Sequence, residues 1–298
     1  MSVKNVLITG ATGKQGGATI TALLTTGADF NIIAVTRNTS SVAAKALSQC
    51  SDKIKLLQGD LDEPHAFVDS AKSTYGPIWG VFSVQLVAGH NAPPGTEEAQ
   101  GKALVDASLA AGVKHFVYTS VERGGSEDPT NIPHFASKCN IEKHLKARAA
   151  GSDMAWTILR PVAFLDNFAG EMFSVFPSFW KASLGMDKPL QVIATTDIGR
   201  VAAQAFLQPE KYTGKVIPLA TSELTLAEAE EVYKKKTGTD MPIAPEEVAR
   251  GIFAQSDEMR LMFGWFVSHG FNVDIESVKK EFPGTLDFEA WVEKESGF

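Results

Sequence analysis

A short apolar run, Asn5-Val6-Leu7-Ile8, gives way to Thr9-Gly10-Ala11-Thr12-Gly13-Lys14-Gln15-Gly16-Gly17, and a helical pattern through Ile20, Leu23 and Leu24 follows at once. Glycines spaced this way between a strand signal and a helix signal constrain the fold strongly. The backbone must turn tightly and then open a helix whose first N–H groups have no partners of their own. Those groups, with the positive end of the helix dipole, attract phosphate. The pattern G-x-x-G-x-x-G is common by itself; its place between strand and helix is what makes it a dinucleotide-binding expectation.

The next strand distinguishes between dinucleotides. A unit that prefers NAD carries an Asp or Glu about 20 residues beyond the glycines to accept from the ribose 2′-hydroxyl. Here Phe30-Asn31-Ile32-Ile33-Ala34-Val35 runs into Thr36-Arg37-Asn38, with no acid. A guanidinium forks onto phosphate oxygens, so Arg37 points to a 2′-phosphate and to NADP(H). The alternative for Arg37 is a solvated residue after an edge strand, and for Lys14 either a second phosphate contact or an exposed turn lysine.

Strand and helix signals keep alternating. Helical stretches over 41–47, 64–71 and 96–111 separate apolar runs at 54–58, 78–84 and 113–120, and Gly112 suits a left-handed cap on the third helix. Repeated βα units predict an α/β fold with a doubly wound parallel (Rossmann) sheet and a ligand at the carboxyl ends of its strands. At 298 residues the chain exceeds one core, so a dinucleotide-binding domain over 1–155 and a smaller α/β carboxyl-terminal lobe over 156–298 are expected, with the chain free to cross between them. The net charge of −7 argues against a sequence-independent grip on nucleic acid. Cys50 and Cys139 have neither metal nor disulfide spacing, and no leader or membrane-length apolar stretch is visible. A cytoplasmic protein without metal is expected, with the nucleus added if it acts as a regulator; a homodimer stays open.

Candidate chemistry lies at the strand ends. Asp60 and Leu61 follow the third strand, where a carboxylate either accepts from the adenine amino group or caps the turn. Ser83, Val84 and Gln85 end the fourth strand, and Thr119 and Ser120 the fifth. Pro133 suits a first helical position, after which His134, Lys138, Ile141 and Leu145 share one stripe, so the polar pair continues an apolar face. His115 and His144 read as strand-edge and helix-surface residues without a visible partner.

Taken together, Gly10-Ala11-Thr12-Gly13-Lys14-Gln15-Gly16, Val35-Thr36-Arg37-Asn38, Gly59-Asp60, residues 134–138, Leu159-Arg160-Pro161, Thr196-Asp197-Ile198-Gly199 and Pro209-Glu210-Lys211-Tyr212-Thr213-Gly214 resemble the NmrA-like branch of the atypical short-chain dehydrogenase/reductases over nearly the whole chain. Most such reductases use a Tyr-x-x-x-Lys pair. This chain keeps Lys138 and has His134 at the tyrosine position, as redox-sensor relatives do. The resemblance implies Lys138, His134 and Ser120 around a reacting centre. It implies NADP(H) held by Gly10, Thr12, Gly13, Lys14, Gln15, Gly16, Arg37, Asp60, Leu61, Ser83, Val84, Gln85, Lys138, Pro161, Val162 and Phe164.

Downstream, Phe164, Asn167, Phe168, Met172 and Phe173 begin an aromatic-rich stretch that either lines a substrate pocket or packs the second lobe, as Phe176, Phe179 and Trp180 also can. In the remainder, Leu190-Gln191-Val192-Ile193 reads as a strand and Thr225 as a cap. Lys234-Lys235-Lys236 ends a helix, 258–266 is apolar enough to cover the pocket mouth, and 287–291 reads as a helix docking on the sheet. Two functions follow from these readings. One is NADPH-dependent reduction of a small apolar carbonyl, quinone or related aromatic acceptor. The other is an NADPH/NADP redox sensor that regulates a protein partner, including transcriptional regulation, with little or no catalysis.

Overall fold

The βα alternation is realised element by element. In the computed structural model, which describes residues 3–85 and 93–297, the chain forms β1 (Lys4–Ile8), α1 (Lys14–Thr25), β2 (Phe30–Thr36), α2 (Val42–Gln49), β3 (Ile54–Gln58), α3 (Pro64–Tyr75), β4 (Ile78–Ser83), α4 (Thr96–Ala111), β5 (His115–Thr119), α5 (Pro133–Ala149) and β6 (Ala155–Pro161). Then come β7 (Ala163–Phe164), two short 3-10 turns (Leu165–Phe168 and Gly170–Met172), α6 (Val175–Leu184), β8 (Leu190–Ile193), α7 (Thr195–Leu207), α8 (Pro209–Tyr212), β9 (Lys215–Leu219) and β10 (Ser222–Leu224). Five helices end the chain: α9 (Leu226–Thr237), α10 (Glu246–Gln255), α11 (Asp257–Ser268), α12 (Ile275–Glu281) and α13 (Phe288–Lys294). Two compact units result, one from residues 1–121, 136–160 and 198–217, the other from 122–135, 161–197 and 218–298.

The first unit is built on a seven-stranded sheet in the order β3-β2-β1-β4-β5-β6-β9. The pairs from β3 through β6 are parallel. Winding reverses between β1 and β4, so the carboxyl ends of those two strands form a topological switch point. Because helices cover both faces, the inner strands are apolar almost throughout rather than alternating. Leu7, Ile33, Val81, Phe116, Tyr118 and Ile158 pack against Phe67 and Val68 of α3, Leu104 and Val105 of α4, and Ile141 and Leu145 of α5. On α7, Gly199 meets α1 backbone to backbone: a Cβ there would stand 2.4 Å from the Ala18 carbonyl carbon. The Thr196-Asp197-Ile198-Gly199 signature thus has a packing reason at its glycine.

The helix boundaries follow local chemistry. Gly112 ends α4 in the left-handed region at φ 80. Thr225 and Glu228 form a reciprocal capping box at the start of α9. At the other end of α9, Lys234 pairs with Asp240 at 2.8 Å and Lys236 with Glu289 at 2.9 Å, so the lysine run is engaged within the fold.

The second unit holds a three-stranded sheet, β10-β8-β7, and the carboxyl-terminal helices. Its core is aromatic. Phe168 is enclosed by Phe176, Trp180 and Phe288, and Phe179 packs with Phe253 and Phe263. The packing reading therefore accounts for Phe168, Phe176, Phe179 and Trp180, all at most 5% exposed. Helix α11 lies on α6 and α10, with Phe263, Trp265 and Phe266 buried. Helix α13 docks against α9, and Phe288 N–H donates to Ser222 of β10, so its seat is the small sheet and its neighbour helix. Among the described residues no helix is long and apolar enough to cross a membrane.

The reading of His115 and His144 as unpartnered surface residues is corrected. His144 pairs with Asp106 at 3.1 Å. His115 is 1% exposed in β5, ringed by Trp79 and Phe206, with Nε2 2.9 Å from Thr157 Oγ1. Thr157 donates its own proton to the Tyr212 carbonyl, so its oxygen accepts and His115 carries the hydrogen on Nε2. Sequence pattern missed this because an apolar strand hides a histidine as readily as a phenylalanine.

Burial first, then the nearby Lys4 charge, lower the pKa of His115 to about 4, with Glu210 opposing. Unfolding restores an ordinary value near 6.5. Between those values the unfolded chain binds a proton that the folded chain refuses, so stability falls as pH falls through this window. The unfolding free energy is expected to be about 2 kcal/mol lower at pH 5 than at pH 8 from this group. His115→Gln should flatten that part of the curve in urea titrations; an unchanged slope would show that His115 does not set it.

Candidate active site

In the first unit, β1 ends beside β4, and Thr9 ties the two ends together: Val84 N–H donates to Thr9 Oγ1 at 2.9 Å. The chain then turns through Gly10, at φ 57, and Gly13, whose N–H reaches back to the Gly10 carbonyl at 2.8 Å. Gly16 is the tightest point. A Cβ there would lie 2.2 Å from the Gly10 oxygen, so only glycine lets α1 start against the turn. Gly13 caps α1 without any side-chain hydrogen bond, and no acid occupies the first turn. Thr12, Gly13 and Lys14 are exposed, and Gln15 accepts from Thr119 at 2.6 Å, fixing the helix start to the end of β5. A bare helix N-terminus thus faces solvent at the switch point.

Arg37 follows β2 on the same edge of the sheet. It is exposed and makes neither ion pair nor hydrogen bond among the described residues. Asn38 caps the loop by accepting from Ser40 N–H at 2.9 Å, and Ser41 caps α2, so the backbone around Arg37 is fixed while its guanidinium stays uncommitted. Asp60 takes the turn role: one carboxylate oxygen accepts from Asp62 N–H at 3.1 Å. Leu61 is half-buried and packs on the main core. Ser83 and Gln85 are buried and bonded to each other at 2.8 Å, and Gln85 Oε1 has no hydrogen-bond partner among the described residues.

Three acids that sequence reasoning did not single out engage the candidate catalytic groups. Lys138, 7% exposed, places Nζ 2.8 Å from Glu97 Oε1, an ion pair whose angle falls short of a directed hydrogen bond. Ser137 donates to the other Glu97 oxygen. Ser120 donates its one proton to Glu142, and Arg160 forks onto both oxygens of the same carboxylate, at 3.1 and 2.6 Å. Ser120, Glu142 and Arg160 are each at most 4% exposed. The Ser120 hydroxyl is thus directed at a carboxylate and not at open space. Glu142 lies one helical turn beyond Lys138, between Ile141 and Leu145, so the stripe itself carried the signal that could have found it.

In the second unit, His134 opens α5 one residue after Pro133. Glu258, in the first turn of α11, accepts from the His134 backbone N–H at 3.2 Å and from its Nδ1. Burial raises the Glu258 pKa, but the hydrogen bond and charge of His134 outweigh it and hold the carboxyl below its ordinary value. Pro161 and Val162 are buried, Phe164 and Asn167 half-buried, and Met172 is 38% exposed. Phe173 packs against Tyr233. Among the described residues no group of three or more His, Cys, Asp or Glu side chains is placed to hold a metal.

A doubly wound parallel sheet with a glycine-lined turn at its switch point defines a dinucleotide-type α/β fold. The NmrA-like family model matches residues 2–292, and the chain belongs to that family. An NmrA-like family domain-containing oxidoreductase, FrzB of Cladobotryum sp, is 29% identical, over 89% of this chain and 84% of its own length. The nitrogen metabolite repression protein of Neurospora crassa is 26% identical, over 94% of this chain and 59% of its own. Among solved structures, Citrobacter sp. triphenylmethane reductase complexed with NADP(H) aligns with a TM-score of 0.73 at 19% identity, covering 97% of this chain and 99% of that one.

Proposed function

We propose that this chain is an NADP(H)-dependent oxidoreductase that reduces a small apolar carbonyl, quinone or related aromatic acceptor. One observation carries the reading. An uncapped helix N-terminus and an uncommitted arginine stand on the same edge of one sheet, the arrangement a pyrophosphate and a 2′-phosphate require. In this reading Gly10, Thr12, Gly13, Lys14, Gln15 and Gly16 surround the pyrophosphate and Arg37 takes the 2′-phosphate. Asp60, Leu61, Ser83, Val84 and Gln85 border the adenosine side, and Lys138 holds the nicotinamide ribose while paired to Glu97.

When bound, NADPH supplies the hydride. His134, at the position where most short-chain reductases have tyrosine, supplies a proton as negative charge gathers on the acceptor oxygen. The relative named as an oxidoreductase supports redox chemistry as the class of reaction.

NADPH is expected to bind at least about tenfold more tightly than NADH, a preference of roughly 1.4 kcal/mol. Calorimetry with all four nicotinamide dinucleotides reads it directly, and Arg37→Ala should remove most of the difference. Equal affinities in the unmodified protein would overturn the assignment.

A second reading has its own support. Ser120 and Lys138 are engaged by Glu142 and Glu97, and the chain resembles a nitrogen metabolite repression protein. In that reading NADP(H) occupancy favours one of two conformations that differ in affinity for a regulatory protein partner.

A further inference from the structure

The first turn of α5 is fastened to α11 at two points. Phe135 packs edge-on against Trp265, with ring centroids 5.4 Å apart. In the first turn of α11, Glu258 accepts from both the backbone N–H and Nδ1 of His134 through a single oxygen. Ser256 caps α11 at the Met259 N–H, which fixes the turn that carries Glu258. The carboxylate also lies near the positive end of α11, so two helix starts favour its charge.

An ionised carboxylate has no hydrogen to offer, so the hydrogen between the two groups belongs to His134 Nδ1. We propose that Glu258 is a positioning residue: it holds the proton of neutral His134 on Nδ1 and so confines proton transfer by this histidine to Nε2. The inference rests on the reduction reading for its catalytic meaning. In that reading the charged imidazole would give its Nε2 proton to the oxygen of an acceptor to which NADPH, when bound, would supply the hydride. It is left as the neutral Nδ1–H form against Glu258, and solvent returns the proton. The negative carboxylate stabilises the cation before transfer and keeps the ring from turning over afterwards.

The competing role for Glu258 is a simple cap on α5, and the imidazole nitrogens distinguish the two. In the ¹⁵N-labelled unliganded protein above the histidine titration, His134 should show a protonated Nδ1 and an unprotonated Nε2. Glu258→Ala should move the proton to Nε2 and lower kcat for menadione reduction about tenfold, with KM for NADPH little changed. Glu258→Gln keeps an acceptor for both N–H groups, and so the cap, but removes the charge; kcat should fall in it as well. An Nε2–H tautomer in the unmodified protein overturns the inference, as does a Glu258→Gln variant with unchanged kcat. If the unmodified protein reduces no acceptor, the reduction reading fails, while the nitrogen shifts still decide what Glu258 does.

Discussion

Glu142→Ala should cost about 3–5 kcal/mol of unfolding free energy, because it removes the carboxylate onto which the buried Arg160 guanidinium forks. The two side chains are 2% and 5% exposed. A buried pair of this kind contributes little relative to a well-packed apolar pair, but removal of one member leaves an uncompensated charge. Arg160→Met in the Glu142→Leu background should therefore recover much of the loss. The measurement is a double-mutant cycle in urea. A single Glu142→Ala variant within about 1 kcal/mol of the parent would show that water or rearrangement satisfies Arg160.

Ser120 makes this prediction bear on function. Its proton goes to Glu142, so catalytic use of Ser120 as a hydrogen-bond donor requires that bond to break. In the Leu159-Arg160-Pro161 signature, Arg160 had no assigned role in the sequence. This arginine is one half of the ion pair that holds the middle of α5 against the end of β6, and through Glu142 it also settles where the Ser120 hydroxyl points.

What the sequence made legible was local. The glycine turn, the absence of an acid after β2, the cap at Gly112 and the capping residue Thr225 each depend on neighbours within a few positions, and each is realised at the expected residue. The acids that engage the candidate catalytic groups depend on juxtaposition across the fold. Glu258 is 124 residues from His134 and comes from a segment that the sequence reading took, for its apolar residues, as a cover for the pocket mouth. The aromatic stretch left two readings open: Phe168, Phe176, Phe179 and Trp180 prove to pack in a core that several helices of the second unit share. Composition counts such residues but does not tell which helices they face.

His134→Ala should lower turnover by roughly 10²-fold or more while leaving NADPH affinity nearly intact, since proton donation acts in the transition state and not in cofactor binding. The experiment is single-turnover oxidation of bound NADPH against quinones and aromatic carbonyls, run beside calorimetry of the same variant. Lys138→Ala should weaken both steps, because it removes the proposed ribose contact and also strands Glu97, which is 2% exposed and would lose its ammonium partner. Under the regulatory reading the pattern reverses. No acceptor is reduced above buffer by the parent, His134→Ala changes no rate, and the variant instead alters how NADPH affects association with a partner protein or a second copy. Oxidation of NADPH by the parent together with an undiminished rate in His134→Ala would remove the histidine from the chemistry. The proton would then have to come from solvent, and the Glu258 contact would be left as a cap on α5.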